Sequence, residues 1–191
     1  VTGNVTQAGP LNVTGSSHFT AVQGDVLLDA ANSFAQTVAL SAVNATIHST
    51  SALTLANSTI TGNLDAQVDA GDVTQTGPLN VTGTSSIAAK AGNITLTDAA
   101  NSFGDRVSAS TPQALKLTAS GPLSMGEVNV GLTTDLQSQG KLDLGTNSVY
   151  TGKLIAKSGG FDIIQSGPLK AGKDVDFDAG NAKIDLFNPK N

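Results

Sequence analysis

The feature that most constrains the fold of this chain is an internal repeat that occurs twice almost intact. The first copy runs from Gly3 to Phe34 and the second from Gly71 to Phe103. Their first 26 positions share 15 identities, and after a one-residue insertion the six letters DAANSF recur unchanged. A third, weaker copy begins near Phe161. Self-similarity of this kind is typical of architectures in which equivalent units stack on one another.

Within the copies, apolar and small polar residues alternate in short bursts such as Leu79-Asn80-Val81. A period of two is typical of a strand with one buried face. Gly, Asn, Asp and Ser separate the bursts, and no stretch of a dozen residues sustains a helical period. The sequence therefore predicts an all-β protein.

The spacing of the copies indicates how the strands are arranged. The equivalent glutamines of the three copies are Gln7, Gln75 and Gln165, so the second interval is the longer one. We interpret the excess of roughly 22 residues as one structural unit, with an extra unit near Ser120 to Gln139. The first interval then holds three units and the second holds four.

A unit of this length holds three short strands, which is one coil of a parallel β-helix. The competing all-β fold, a β-sandwich of hairpins, does not require insertions of one such unit. The Asn-Gly and Asp-Gly pairs that are typical of hairpin turns are also absent. We expect a parallel β-solenoid of about eight coils, each of ~22 residues.

The alternation also predicts which side chains fill the interior. Burial of one such aliphatic side chain stabilises the fold by roughly 1.5–3 kcal/mol. The side chains predicted to point inward are Val5, Leu11, Val13, Phe19, Val26, Leu28, Phe34, Val73, Leu79, Val81, Ile87, Ile94, Leu96 and Phe103.

Composition excludes several classes of function. The net charge is −5, and the ten Lys and Arg residues form no cluster, so no basic surface for nucleic acid or an anionic membrane is expected. Cysteine is absent, which excludes disulfides, zinc fingers and thiol nucleophiles. No apolar run approaches the roughly 20 residues of a membrane span. We expect residues 1–191 to be a single repeat segment of a longer chain, with open coil ends at Val1 and Asn191 that favour pairing between ends.

The repeats resemble those of filamentous-haemagglutinin-like large exoproteins, the two-partner-secreted adhesins of Gram-negative bacteria. The matching motifs are Gly92-Asn93-Ile94-Thr95, Ala100-Asn101-Ser102-Phe103 and Gly71-Asp72-Val73-Thr74-Gln75 with Gly77, Leu79, Val81 and Gly83. The resemblance implies a right-handed β-helical shaft, an outer-membrane secretion partner, and a place in the secreted fraction or at the cell surface. It implies adhesion, with host glycan or surface protein as the partner. It brings no catalytic site and no cofactor, and we expect no enzyme activity and no membrane insertion.

Two repeated amides are predicted to be structural. Gln7, Gln75 and Gln165 share one repeat position with inward parity, so each side-chain amide must find hydrogen-bond partners at a corner. Asn32 and Asn101 precede Ser-Phe at equivalent positions. We expect them to adopt the left-handed conformation and to bond their own turn.

Six Asn-x-Thr sequences have the form of glycosylation acceptors. The alternation of outward Asn and Thr also produces such triplets by chance, and we favour that interpretation. They begin at Asn4, Asn12, Asn44, Asn57, Asn80 and Asn93.

The densest acidic run, Asp174, Asp176 and Asp178, is a weak candidate for calcium binding. Its glycine, Gly180, falls one place late for a calcium loop, and no flanking helix is predicted. A solvated strand face is the favoured interpretation, and a calcium-stabilised repeat module remains an alternative.

A carbohydrate-active β-helix enzyme is the other alternative. Such enzymes group carboxylates with basic side chains across neighbouring coils. This chain offers few suitable residues, and none recurs with the repeat. The candidates are His18, His48, Arg106, Glu127 and Tyr150.

Overall fold

A computed structural model describes residues 3–188, which form one parallel β-solenoid without a helix. The termini at Val1 and Asn191 lie outside the described residues. In the described part, the strand pairings are parallel, and most strands pair with one strand in the coil below and one in the coil above. The described residues contain no helix that is long and apolar enough to cross a membrane. The predicted all-β solenoid with three short strands per coil is confirmed.

The coils have three sides, which we call side 1, side 2 and side 3 in the order in which the chain passes them. Side 1 contains β1 (Val5–Thr6), β4 (Val26–Phe34), β6 (Ala45–Ser49), β9 (Leu64–Val68), β12 (Ser85–Ala89), β15 (Val107–Thr111), β17 (Leu123–Val130), β20 (Asn147–Tyr150) and β23 (Leu169–Ala171).

Side 2 contains β3 (Ser17–Ala21), β5 (Thr37–Ala42), β7 (Leu53–Leu55), β10 (Val73–Gln75), β13 (Ile94–Leu96), β16 (Leu115–Ala119), β18 (Thr134–Ser138), β21 (Leu154–Lys157) and β24 (Val175–Asp178). Side 3 contains β8 (Ser58–Ile60), β11 (Leu79–Val81), β14 (Ser102–Phe103), β19 (Leu142–Asp143), β22 (Ile163–Ile164) and β25 (Ile184–Asp185).

Three long strands run around corners of the coil. The second half of β4 pairs with the short strand β2 (Asn12–Val13), while β5 pairs with both β7 and β8. The first half of β17 pairs with β19 and its second half with β20. These strands let the number of residues per side vary from coil to coil.

The coils are slightly shorter and more numerous than predicted. On side 1, Val5 pairs with Val26, which is followed upward by Ala45, Leu64 and Ser85. One coil therefore takes about 20 residues, with small differences between coils, instead of ~22. Side 1 has nine strands in its column, so the described residues build about nine coils instead of eight. At about 4.8 Å per coil the stack is roughly 40 Å long.

The register shows that successive copies of the repeat begin on successive sides. Val5 lies on side 1, whereas its repeat equivalents Val73 and Ile163 lie on sides 2 and 3. Leu64 stands three coils above Val5 on side 1, and the chain turns one corner from Leu64 to reach Val73. In the same way, Leu154 stands four coils above Val73 on side 2, and the chain turns one corner from Leu154 to reach Ile163. Each copy is therefore displaced by a whole number of coils plus one side.

The interior is a narrow column of aliphatic side chains. Ten of the predicted inward residues are buried, namely Val26, Leu28, Phe34, Val73, Leu79, Val81, Ile87, Ile94, Leu96 and Phe103. Val5, Leu11, Val13 and Phe19 point into the same column but are only partly buried. They belong to the first described coil, which has a described neighbour on one side only.

Close packing of the coils at the corners requires glycine at specific places. Gly71 has a φ of 91°, and a β-carbon there would lie 2.9 Å from the β-carbon of Ala52 one coil below. A β-carbon on Gly92 would collide with the carbonyl of Gly71. The repeated glycines thus keep the corner thin enough for strand spacing on the sides.

Candidate functional site

The repeated amides form a hydrogen-bonded cluster that joins two coils, which we call the amide clamp. In the second copy, Gln75 Nε2 donates to the carbonyl of Gly77 (2.7 Å) and to Asn101 Oδ1 (2.8 Å). Asn101 Nδ2 donates back to Gln75 Oε1 (2.9 Å), and the Leu79 amide donates to Asn101 Oδ1 (2.8 Å). Because Asn101 is fully buried, these bonds satisfy an amide that would otherwise destabilise the fold.

The first copy builds the same clamp from its own residues. Gln7 Nε2 donates to the carbonyl of Gly9 (2.7 Å) and to Asn32 Oδ1 (2.8 Å), and the Leu11 amide donates to Asn32 Oδ1 (2.8 Å). In the third copy, Gln165 Nε2 donates to the carbonyl of Gly167 (2.8 Å). The prediction that the repeated glutamines satisfy their amides at a corner is confirmed.

The expectation for the repeated asparagines is partly wrong. Asn32 Nδ2 donates to the carbonyl of Leu28 (2.9 Å) and Asn101 Nδ2 to that of Leu96 (3.2 Å), so each does bond its own turn. Neither residue is left-handed, because among the described residues only glycines have a positive φ. Asn101 follows a turn at residues 99–100, whereas Asn32 lies within β4 after an irregularity in the strand pairing between Leu28 and Asn32. In both cases the side chain is bonded to the neighbouring coil.

A second set of side chains, which we call the corner ladder, bonds each coil to the next. Asn4 Oδ1 accepts from the Asp25 amide (2.9 Å), and Asp25 Oδ1 accepts from the Asn44 amide (3.0 Å). Asn44 Oδ1 accepts from the Asn63 amide, and Asn63 Oδ1 from the Thr84 amide, both at 2.9 Å. Every acceptor lies one coil below its donor, so the ladder has a direction.

A shorter ladder of the same direction rises at the start of side 2. Asp72 Oδ1 accepts from the Asn93 amide (2.7 Å), and Asn93 Oδ1 accepts from the Ala114 amide (3.2 Å). Three of the six Asn-x-Thr asparagines, Asn4, Asn44 and Asn93, are thus ladder residues whose side-chain oxygen holds the next coil. Asn12 and Asn57 are exposed.

Most of the residues considered for catalysis lie apart from one another. His18 and Glu127 are exposed on different coils, and Arg106 donates to the carbonyl of Met125 (3.3 Å). Tyr150 is fully buried and donates to the carbonyl of Leu144 (2.9 Å). Burial raises the pKa of the Tyr150 phenol well above its usual value.

His48 takes part in a surface chain of ionic contacts. His48 Nε2 lies 2.9 Å from Asp69 Oδ2, and Lys90 Nζ lies 2.7 Å from Asp69 Oδ1. The hydrogen bond from Lys90, followed by that from His48, lowers the pKa of the Asp69 carboxyl. The three residues are spaced by 21 positions, one on each of three successive coils. This spacing of about one coil is the only feature of the sequence that could have predicted the contacts, because the three residues form no motif.

A shallow open groove of about 390 Å³ crosses side 1. Its lining combines small side chains on β12 and β15 with larger ones on β17. Among the residues that line it are Ser86, Ala88, Ser108, Ser110, Glu127 and Asn129.

The acidic run at the upper end of the stack is solvent-exposed. Asp174 precedes β24, Asp176 lies within it, and Asp178 accepts from the Gly180 amide (3.0 Å). Within residues 3–188, no group of three His, Cys, Asp or Glu side chains is placed to hold a metal ion. Weak calcium binding here stays a prediction, and a melting temperature that falls on addition of chelator would support it.

Charge is distributed unevenly along the stack. Residues 1–89 contain five Asp and no Lys or Arg, whereas residues 90–191 contain ten basic and ten acidic residues. The entire net charge of −5 therefore belongs to the lower coils, whose outward side chains are otherwise mainly hydroxyls and amides.

Comparison with known families finds one match. The family model described as repeats of unknown function (DUF5649) matches residues 1–41, 42–110 and 131–191. The unmatched stretch, 111–130, has the length of one coil and overlaps the extra unit predicted near Ser120 to Gln139. No curated protein and no solved structure matches the chain.

Proposed function

The chain belongs to the DUF5649 family of repeats of unknown function, and we propose that it is a shaft segment of a secreted or surface-exposed bacterial exoprotein. In this proposal the segment extends the parent molecule away from the cell and contacts host glycan or surface protein along its sides. An outer-membrane partner exports the parent protein. The chain itself performs no catalysis.

The observation that carries this proposal is that the repeated polar residues join neighbouring coils. Gln75 and Asn101 hold one coil to the next, and their equivalents Gln7 and Asn32 do the same on another side. Residues that recur because they join coils specify length and stiffness. Repetition of this kind supports a mechanical role over a single active centre.

The surface supports contact with neutral, hydroxyl-rich partners. Thr37, Thr54 and Thr74 occupy one outward column on side 2, and Thr54 and Thr74 are hydrogen bonded to each other (3.1 Å). The groove on side 1 presents serine hydroxyls beside Glu127 and Asn129. These groups can exchange hydrogen bonds with sugar hydroxyls, and cell-surface attachment through many weak contacts needs a long exposed face.

A binding experiment tests the adhesive part of the proposal. Beads coated with the chain are applied to cultured host cells and to a glycan array, and the chain is incubated with a polysaccharide panel. We compare Ala88→Gln, which fills the groove, with Ala39→Gln, an outward alanine on side 2. We expect wild-type binding, a loss of at least about fivefold for Ala88→Gln, and no loss for Ala39→Gln.

The other outcomes are decisive in different ways. Absence of binding to any cell or glycan contradicts adhesion by this segment and leaves the shaft role intact. Equal losses for the two alanine variants contradict recognition through the groove. New reducing ends in the polysaccharide incubation contradict the non-catalytic proposal and favour a carbohydrate-active enzyme.

A further inference from the structure

The groove on side 1 continues along the strands. A second concavity of about 360 Å³ shares Ala88, Ser110 and Asn129 with it and extends to Lys90 and Gly131. At ~3.3 Å per residue, the lined part of β12 is about 13 Å long. The groove spans three coils, and described coils lie below it at β9 and above it at β20. It is therefore a feature of the middle of the stack and not of its ends.

A β-bulge turns the Glu127 side chain toward this groove. Between two paired positions, β17 has two residues, Gly126 and Glu127, where β15 has only Ser108. Strict alternation from the buried Met125 would direct residue 127 into the core. The extra residue reverses the alternation, so Glu127 is exposed and Val128 is buried.

Ser108 and Gly126 hold the bulge in place. The Glu127 amide donates to Ser108 Oγ (3.2 Å), and a β-carbon on Gly126 would collide with the same oxygen. The bulge therefore requires glycine at position 126. All of β17 lies within residues 111–130, which the family model leaves unmatched. The feature that directs Glu127 outward thus belongs to the extra coil of this chain and not to the common repeat.

The polar side chains of the groove are free to bind a ligand. Ser86, Ser110, Glu127 and Asn129 are exposed, and their side chains have no hydrogen-bond partner among residues 3–188. Elsewhere on side 1, the surface chain of ionic contacts bonds outward side chains of successive coils to one another. The groove thus collects hydroxyl, amide and carboxylate groups that no neighbouring coil satisfies.

The charges around the groove favour an uncharged ligand. Glu127 contributes a carboxylate, whereas Lys90 at the other end lies 2.7 Å from Asp69, which neutralises it. Arg106 precedes β15 but donates to a backbone carbonyl of β17 and does not line the groove. The unpaired charge is therefore negative, and it repels acidic ligands such as sialylated or sulfated sugars.

The hydrogen-bonding groups favour a polyol. An ionised carboxylate only accepts hydrogen bonds, so Glu127 requires donors, and its two oxygens suit two hydroxyls on adjacent sugar carbons. Asn129 both donates and accepts, as sugar hydroxyls do. An extended peptide would instead pair its backbone with the edge of a sheet, and the groove lies on a sheet face.

We propose that this groove binds a neutral oligosaccharide, with two adjacent hydroxyls donating to Glu127 and others exchanging hydrogen bonds with Asn129 and Ser110. This inference rests on the proposed adhesive function and names its ligand class, which is the neutral part of a host glycan and not an acidic terminus. The bulge at Gly126 is the element that makes the site.

A glycan array tests the ligand class. The array carries N-acetyllactosamine and mannose oligosaccharides, the sialylated and sulfated forms of N-acetyllactosamine, and glucosamine oligomers with free amines. We expect the wild-type chain to bind one or more of the neutral sugars. Binding to the acidic form of the same sugar should be weaker by at least about tenfold, because of the Glu127 charge.

A matched pair of variants tests the role of Glu127. Glu127→Gln keeps the size of the side chain and should weaken binding of the preferred neutral sugar by at least about tenfold, because hydrogen bonds to a charged group are the stronger ones. It should also reduce the discrimination against acidic sugars. Asp135→Asn removes a charge from side 2 and should bind like the wild type. Isothermal titration calorimetry measures both, and far-UV circular dichroism checks that both variants fold.

The opposite results overturn the inference. Preference of the wild-type chain for acidic sugars or for glucosamine oligomers excludes a neutral ligand. Equal binding by the two variants excludes Glu127 as a ligand-binding residue. If coated beads adhere to host cells while the array stays empty, this inference fails and adhesion by the shaft stands. If the array shows neutral sugars bound while the beads do not adhere, the site stands and the adhesive function fails.

Discussion

The first and second copies of the repeat form the same clamp in different surroundings. The bonds from glutamine to asparagine are 2.8 Å in both, and so are the bonds from the leucine amides to asparagine. Yet the first copy begins on side 1 and the second on side 2. Leu79 is completely buried, whereas its equivalent Leu11 is only partly buried.

This comparison separates two levels of organisation. The clamp is a property of the repeated sequence and of one neighbouring coil, so it forms equally well on either side of the solenoid. Burial depends on how many coils lie on each side of the residue, which the repeat itself does not encode. Substitutions at equivalent positions of the two copies should therefore agree for the clamp and differ for the apolar column.

The largest effect is expected in the apolar column. Leu79→Ala should reduce the free energy of unfolding by about 2–5 kcal/mol, because it leaves a cavity between covered coils. Leu11→Ala should cost less than half as much, since part of its side chain already contacts water. Urea unfolding followed by circular dichroism in dilute protein measures both. Equal costs would mean that the lowest coil is covered in solution.

The clamp should give effects of intermediate size that are equal in the two copies. Asn101→Ala and Asn32→Ala should each reduce the free energy of unfolding by about 2–3 kcal/mol, because each removes the acceptor of a leucine amide and one of the two acceptors of a glutamine amide nitrogen. The same unfolding assay applies, with the exposed Asn57→Ala as the control. A difference above about 1 kcal/mol between the two copies would show that the side of the solenoid matters to the clamp.

A third region without the clamp sharpens the comparison. The motif at Ser120-Gly121-Pro122-Leu123 has Ala119 in place of the glutamine, and one coil above, Tyr150 and Ser148 both donate to the carbonyl of Leu144. Tyr150→Phe should cost about 1 kcal/mol at neutral pH.

The pH dependence of this region has a defined sign. Because burial raises the folded-state pKa of Tyr150 above 10.0, its stabilising contribution is present below pH 10 and is lost as the pH rises further. Wild-type melting temperature should fall between pH 9 and 11 more steeply than that of Tyr150→Phe. Parallel curves would exclude the phenol as the cause.

The smallest effect is expected on the surface, where the His48–Asp69–Lys90 chain joins three coils without entering the core. The pKa of Asp69 is lowered in the folded state, so its contribution is present above the ordinary value of 3.8 and is lost as the pH falls below it. Lys90→Ala should lower the melting temperature slightly at pH 6 and low salt. The difference should shrink in 1 M salt and vanish near pH 3. A difference that persists at pH 3 would point to lost packing of the lysine stem.

Much of the fold was predictable because strand alternation and an internal repeat can be recognised from the sequence without knowing which residues are in contact. Alternation predicted the inward set from Val26 to Phe103, since each side chain of a strand points opposite to its neighbours. The number of residues per coil was harder to predict, because it differs from coil to coil. The coil between Ala45 and Leu64 is shorter than the coil between Ser85 and Val107, because corner residues can be added without disturbing the columns on the sides.

The candidate site was harder to predict for the same reason. Gln75 was recognisable as an inward amide, but its partner Asn101 lies 26 residues away, which is more than one coil. The ladder from Asn4 through Asp25 and Asn44 follows irregular steps of 21 and 19 residues. No fixed period finds such pairs, and only the register between coils brings them together.

The sequence by itself determined that this chain stacks coils, which side chains fill them, and which amides must be satisfied within them. These properties arise from alternation along a strand and from the chemistry of single residues. The tertiary structure alone decided that each copy of the repeat begins one side further around the axis, and which residues are vertical neighbours. The physical reason is that neighbours in a solenoid are set by the total length of the chain between them, to which every corner contributes.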